Sequence, residues 1–414
     1  MLKGRYIFVL GTFLLTLLLY VDRICISVAK EPISKDLKLT NEQMGWVLSA
    51  FALGYALFQT PGGMLADKYG TRKVLTAIIV IWSFFTGLTS KAYSYISILI
   101  IRFLFGAGEA GAFPSINRSV FSWIPMQERG IVTGINFSGS RLGAAFAMPL
   151  LSIVITTWGW QNIFYILCAV GVLFALLWYF LFKDKPEEHL LLSEKEKEFI
   201  VVNRQQYQYQ HYKLSLKKVL FQKNMWLAML QYFCSNFTFF FALTWLYPHL
   251  KEKYQLEAIV AGWYASFPLI AGAAGNWLSG WWMDRIYKSG NLIKSRRLPA
   301  VTGFALSAIG LVIGSWIHDV NVAVLFLSLA IFGADMTLPP SWAFCADIGK
   351  QNAGTISGNM NMAGNLGSFI TALAFPYLLS WLGSSSVFFY IAAVLNAIAL
   401  FAWWQMNPTN EIKN

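Results

Sequence analysis

Two opposite charges, Arg102 and Glu109, stand in an otherwise apolar, glycine-rich stretch running from Ile101 to Ser115. Seven residues make about two helical turns, ~10 Å of rise, so on a helix the two share one face. A charge at mid-membrane costs several kcal/mol or more unless it meets a partner or a water-filled cavity. Two chemistries fit. In one, Arg102 is a cationic anchor for an anion, and Glu109 beside it gains and loses a proton. In the other, the pair only locks helices together. A desolvated glutamate near Arg102 is neutralised by a proton or by the arginine itself.

The elements that must position these charges are apolar helices. The chain has 414 residues, 57% hydrophobic and 13% charged, where a soluble domain carries about 25% charged residues. Twelve apolar segments have roughly the ~20 residues a bilayer needs: 5–28, 43–66, 73–91, 94–117, 130–155 and 160–182, then 223–249, 259–283, 297–317, 320–344, 352–379 and 385–405. This patterning predicts an all-α polytopic membrane protein of twelve transmembrane helices. Two six-helix bundles, 1–182 and 223–414, flank a polar linker, 183–222. In the linker, Ser193-Glu194-Lys195-Glu196 has the form of a helix start, and a Gln/Tyr-rich run follows. The first segment is too long for a signal peptide and ends in Asp22-Arg23 without a convincing small-residue cleavage site.

The net charge of +12 does not point to nucleic acid, because the basic residues sit in short loops, as topology signals do. With the N-terminus inside, 23 of the 32 Lys and Arg fall on the inner side. Six lie in outer loops, and Arg23, Arg102 and Arg141 lie within the membrane. The expected orientation therefore puts both termini and the linker in the cytoplasm. The four cysteines lie in or at the ends of apolar segments, and no pair has metal-ligand spacing. No phosphate-binding loop, nucleophile–base pair or metal cluster is apparent, and the four histidines are scattered. The expectation is a protein that is no enzyme and holds neither cofactor nor metal.

The halves repeat each other. Gly45, Trp46, Ser49, Gly63 and Asp67 recur as Gly262, Trp263, Ser266, Gly280 and Asp284 at one offset of 217 residues. Asn136-Phe137-Ser138-Gly139 in the fifth segment answers Asn361-Met362-Ala363-Gly364 in the eleventh. Repeated halves mark a transporter whose site lies between them.

Gly63-Met64-Leu65-Ala66-Asp67-Lys68-Tyr69-Gly70-Thr71-Arg72-Lys73 resembles the cytoplasmic signature of the major facilitator superfamily. Gly280 with Asp284-Arg285 is a weaker echo. Gly63 permits close helix approach, Asp67 can pair with a base or cap a helix of the other half, and Gly70 permits a tight turn. Arg72 holds the loop in the cytoplasm. By resemblance the motif latches the inward gate and does not touch substrate. The bland alternative is a positive-inside loop with a turn.

Further stretches are similar to the anion:cation symporter branch of that superfamily: Tyr20-Val21-Asp22-Arg23, Leu48 to Gly63, the Arg102 stretch with its tail Asn117-Arg118, and Phe241 to Pro248. That branch includes bacterial galactonate, glucarate and hexuronate permeases and animal sialic-acid and vesicular glutamate carriers. The resemblance covers nearly the whole chain. It implies two bundles working by alternating access as a proton-coupled symporter of an organic anion, a sugar acid or another carboxylate, in the bacterial inner membrane. The expected partners are that anion, protons and the bilayer, with the chain a monomer. By resemblance Arg23 and Arg102 bind the anion, Asp22 and Glu109 carry protons, and Tyr20, Tyr55, Ser341, Trp342 and Asn361 line the cavity. Tyr20 could instead belong to an interfacial belt, Trp342 to the core, and Asn361 to a helix–helix hydrogen bond.

Two features depart from the galactonate-carrier pattern. Ser140 stands where a glutamine is expected, and Arg141 follows it. A third intramembrane arginine suggests a more anionic or longer substrate, and the alternative is that it snorkels or pairs with an acid such as Asp335. Pro339-Pro340 should break the tenth segment. Asp335 and Asp347 receive no role from the pattern. Other functions that fit are an exporter or exchanger of a carboxylate metabolite or siderophore and, from another class, an anion-binding membrane sensor.

Overall fold

The computed structural model describes residues 4–189, 192–204 and 219–412. The Gln/Tyr-rich run of the linker, 205–218, lies outside them. The described residues form seventeen α-helices. In chain order these are α1 (Arg5–Val28), α2 (Lys30–Asp36), α3 (Asn41–Tyr69), α4 (Thr71–Thr89), α5 (Tyr95–Glu109), α6 (Ala112–Trp123), α7 (Arg129–Trp158) and α8 (Trp160–Leu181). After the linker helix α9 (Glu194–Asn203) come α10 (Lys223–Thr244), α11 (Leu246–Lys253), α12 (Ala258–Lys288), α13 (Leu292–Trp316), α14 (Val320–Met336), α15 (Leu338–Gly349), α16 (Ala353–Leu382) and α17 (Ser386–Gln405).

Each of the twelve apolar segments is helical. Three are interrupted: α5/α6 at Ala110-Gly111, α10/α11 at Trp245 and α14/α15 at Thr337. The last break has the expected cause. Prolines in the first turn of α15 lack the N–H that would continue α14, yet fit a helix start. Local signals set other ends. Thr40 and Gln43 cap α3 reciprocally, and Ser193 caps α9 as the sequence indicates. Gly70 takes a positive φ of 84° between α3 and α4, and a side chain there would collide with the Asp184 carboxylate.

The surface is inverted relative to a water-soluble protein. Phe180, Leu325 and Phe401 are each about two-thirds exposed, while Arg102, Glu109, Arg141 and Asp335 are buried. Among the described residues, eight helical stretches are long and apolar enough, by length and composition, to cross a bilayer.

Helices preceding the linker pack directly on helices following it: α3 runs along α16, and α7 along α12. Small residues permit these crossings. A Cβ on Gly354 would lie 2.7 Å from the Gly63 carbonyl oxygen, and one on Gly280 would lie 2.5 Å from that of Gly130. Both crossings lie at the ends of the helices that carry the linker and both chain termini. The backbone N–H groups of Gly4 and Arg5 donate to Glu196 on α9, and Ile412 donates to Ile348. We call this the linker side.

Candidate functional site

A cavity of about 50 Å³ lies between the halves. Before the linker, its wall is Tyr20 and Arg23 on α1, Tyr55 on α3, Phe113 on α6, and Phe137 and Arg141 on α7. After the linker, Tyr232, Asn236 and Phe239 on α10, Trp342 on α15, and Asn361 and Asn365 on α16 complete it. The wall thus combines two guanidinium groups, aromatic faces and neutral hydrogen-bonding groups. Its polar groups are held in place: Trp342 Nε1 donates to Tyr232 Oη at 2.8 Å, and Asn361 Nδ2 donates to Gln59 Oε1 at 2.8 Å.

Each wall arginine has a carboxylate. Arg23 Nε donates to Glu109 Oε1 at 2.6 Å, with Nη2 paired to the same oxygen. Its guanidinium carbon lies 4.4 Å from the Tyr55 ring centre and 4.8 Å from that of Tyr20. Glu109 Oε2 has no hydrogen-bond partner, although the side chain is fully buried. Arg141 forms a two-pronged pair with Asp335, Nε to Oδ2 at 2.7 Å and Nη2 to Oδ1 at 2.6 Å. That bridge joins α7 to α14, one on each side of the linker.

The charge arrangement departs from expectation at Arg102. Glu109 is paired with Arg23, and Arg102 makes no ion pair among the described residues. It does not line the cavity either: its guanidinium lies over Phe51 at 5.2 Å and Phe105 at 4.7 Å, with Nε unpartnered. The sequence argument placed the two charges on one face, but two turns of rise separate them, whereas α1 brings Arg23 directly against the end of α5. Glu109 and Asp22 remain near enough to Arg102 to act on it electrostatically. Asp22 is 2% exposed, accepts only Trp82 Nε1 at 3.1 Å, and leaves Oδ1 without a partner.

Of the other expected cavity residues, Tyr20, Tyr55, Trp342 and Asn361 are on the wall, together with Arg23 and Arg141. Ser341 is not. Its hydroxyl donates inward to Thr337 O at 2.6 Å and Gln231 Oε1 at 3.1 Å, because neighbouring residues on a helix point some 100° apart and Trp342 takes the cavity face. Sequence reading overlooked Tyr232, Asn236 and Phe239 on α10 and Asn365 on α16. A signal for them existed: Tyr232, Asn236 and Phe239, like Asn361, Asn365 and Ser368, follow i, i+4, i+7 spacing within apolar helices.

The motif residues form a separate, two-fold repeated device on the linker side. The Asp67 carboxylate accepts the N–H groups of Gly354 (3.0 Å) and Thr355 (2.6 Å) and the Thr355 hydroxyl (2.6 Å) at the start of α16. Asp284 does the same for Gly130 and Ile131 of α7, both at 2.8 Å. Each acid caps a helix of the opposite half, where the exposed N–H groups and the helix dipole favour a negative charge. Arg118 Nε approaches Asp67 at 3.6 Å. Arg72 instead donates to Tyr179 O at 2.7 Å and covers the Tyr179 ring, tying α4 to α8. Arg285 is exposed over Trp281. Asp347 binds Arg129 and Arg296, each at 2.7 Å, beside this layer.

The Major Facilitator Superfamily sequence pattern matches residues 12–372. The chain belongs to this superfamily. The probable sulfoacetate transporter SauU of Cupriavidus necator is 34% identical, with 98% of this chain and 95% of that protein aligned. The probable galactarate/D-glucarate transporter GarP of Escherichia coli K12 is 33% identical over 92% and 89%, and the hexuronate transporter of Bacillus subtilis 30% identical over 97% and 94%. Among solved structures, the proton:xylose symporter XylE, bound to 6-bromo-6-deoxy-D-glucose, superposes with a TM-score of 0.79 over 99% of this chain and 97% of that one at 16% identity, which establishes the shared fold. This superfamily member is therefore a secondary transporter akin to bacterial organic-anion permeases, and these relatives are carriers rather than enzymes.

Proposed function

We propose that the protein is a proton-coupled symporter that imports a small organic anion across the bacterial inner membrane as a monomer. Its twelve helices form two six-helix bundles, 1–182 and 223–414, with linker and termini in the cytoplasm. Sulfoacetate, galactarate, glucarate and hexuronates are the candidate substrates suggested by the relatives.

The observation that carries this reading is the charge balance of the buried centre. Arg23, Arg102 and Arg141 are matched by Asp22, Glu109 and Asp335. An entering anion therefore adds uncompensated charge, and burying one costs several kcal/mol. A proton on a displaced carboxylate removes that cost. An acid group of the substrate takes Arg23 from Glu109, whose unpartnered Oε2 then holds the proton. Bidentate geometry suits arginine to carboxylate and sulfonate alike. Tyr232, Asn236, Asn361 and Asn365 offer hydrogen bonds to the rest of the substrate, and the aromatic faces enclose it. The neutral, loaded centre can then exchange the closed linker side for a closed opposite side, the two capped crossings being what must open.

The test is uptake into proteoliposomes containing the purified protein, with sulfoacetate, galactarate, D-glucarate and galacturonate as radiolabelled substrates. An inward proton gradient should drive accumulation of at least one, and a protonophore should abolish it. Accumulation driven by a sodium gradient but not by a proton gradient overturns the coupling.

A further inference from the structure

The Arg141–Asp335 bridge has no part in a site built on Arg23 alone, yet its arginine stands on the same cavity wall. Resting on the reading of that cavity as an anion site, we propose that Asp335 is an exchangeable counter-ion for Arg141. The second acid group of a compact dianion takes its place, Asp335 takes up a proton, and the carrier is thereby selective for small organic dianions over monoanions.

Three features carry this. First, the two wall guanidiniums share one ring: their central carbons lie 4.8 and 5.9 Å from the Tyr20 centroid, so their separation is at most the sum of those distances. Guanidinium–carboxylate bonds of ~2.8 Å at each end leave room between them for acid groups only a carbon or two apart. Second, Arg141 has spare donor capacity. Asp335 occupies Nε and Nη2, whereas Nη1 has only long contacts, 3.5 Å to Tyr20 Oη and 3.4 Å to Ser140 Oγ. The guanidinium is also fixed over Phe239, 3.5 Å from the ring centre, so an arriving acid group meets a preset fork. Third, among the described residues Asp335 has no second cation to move to. Arg141 on α7 is the charged group that faces it. From Asn224 onward α10 carries no charged residue, nor does α12 before Asp284, nor α13 after Arg297. The other titratable groups near this part of the fold are Tyr20, which contacts Arg141, and Tyr232 and Cys234 on α10; Tyr264 of α12 meets Asn321 at the far end of α14, roughly 20 Å along the helix from Asp335. On the α12 side Asp335 meets Gly272, where a Cβ would lie 3.1 Å from its Cγ. A carboxylate displaced from Arg141 is therefore buried, unpaired and beside an anion, and a proton from the open side of the cavity neutralises it. The charges then balance: a dianion faces two arginines, while Glu109 and Asp335 each hold one proton and release it with the substrate on the far side.

The experiment is calorimetric titration of the full-length protein in detergent, in buffers of different ionisation enthalpy, with malonate and with monomethyl malonate, which differ by one charge at similar size. Because the second acid group replaces Asp335 on Arg141 and adds no pair, the preference for malonate comes with the proton: malonate should take up one proton more than the monoester, and its affinity advantage should grow about tenfold for each unit of pH lowered while malonate itself stays a dianion. Asp335→Asn should erase that extra proton. The double variant Arg141→Gln/Asp335→Asn, which removes both charges and leaves neither unpaired, should bring the two affinities within about twofold. Equal proton uptake for both anions, or an undiminished malonate preference in the double variant, overturns the inference. So does binding of galacturonate with no binding of malonate, which leaves the anion-site reading standing. Failure of wild type to bind malonate, monomethyl malonate, galacturonate or sulfoacetate removes that reading and this inference with it.

Discussion

Removing the Asp67 charge should open the whole linker side. Asp67→Asn keeps the side chain's size but leaves a single acceptor oxygen. If that oxygen stays on Thr355, the bond from Gly354 N–H is lost and an amide N–H₂ faces it instead. A charge-assisted hydrogen bond is worth roughly 1.5–3 kcal/mol, and the charge at the α16 N-terminus adds about 0.3–1 kcal/mol. The closed arrangement should weaken by about 2–4 kcal/mol, a shift of roughly 30- to 1,000-fold in the closed-to-open ratio. Hydrogen exchange followed by mass spectrometry reads this directly. The informative peptide is not the one at Gly354, whose acceptor the substitution removes, but residues 129–134. Asp67 does not touch them, and Asp284 still caps them in the variant. If the two caps hold one rigid closure, exchange there rises by the same factor. Faster exchange at 353–357 with unchanged exchange at 129–134 would refute the reasoning, because Asp67 would then be a local cap and no latch.

Arg23→Ala should abolish uptake in proteoliposomes at normal insertion, and Arg23→Lys should recover little, since an ammonium lacks the planar fork that now holds Glu109. Glu109→Gln frees Arg23 while mimicking the protonated acid, so counterflow exchange should persist and pH-driven accumulation should fail; full accumulation would remove Glu109 from coupling. Arg102→Ala should shift the pH dependence of uptake while leaving KM at saturating proton concentration little changed, because Arg102 stands off the cavity wall; a large rise in KM under those conditions would instead make it a direct anion ligand.

The fold was legible because each level of the sequence agreed. Apolar length gave the helices, the 217-residue repeat gave the matching caps at Asp67 and Asp284, and Pro339-Pro340 gave the break before α15. The motif residues were equally visible, since Gly63, Asp67 and Gly70 each answer one backbone demand: a close crossing, uncapped N–H groups and a positive φ. Cavity membership was harder to read. Ser341 and Trp342 are neighbours, yet only Trp342 reaches the cavity, because helix rotation, fixed by packing, decides which one faces inward. Charge pairing was the least legible. Spacing along α5 joined Glu109 to Arg102, but its partner came from α1, 86 residues away. An ion pair between helices depends on their relative position, which local periodicity does not encode.

The pairing that the structure shows changes what the site must do. If Arg102 held Glu109, an anion could reach Arg23 freely and coupling would need a signal between two separate places. In the mechanism proposed above, with Glu109 on Arg23, substrate and proton would meet at one guanidinium, and displacement would itself be the coupling. On that proposal the Glu109 carboxylate and the substrate acid would compete for the same fork, and the carrier could not load the anion without changing what neutralises the glutamate. Anion and proton should therefore raise each other's affinity by equal factors. The unpaired Oε2 gives the incoming proton a place before the pair breaks. Asp22 and Arg102 are buried nearby without ion-pair partners among the described residues, and on the same proposal they would set the field in which this exchange occurs. Removing either should therefore change the pH at which loading occurs while leaving the anion's contacts on the wall in place.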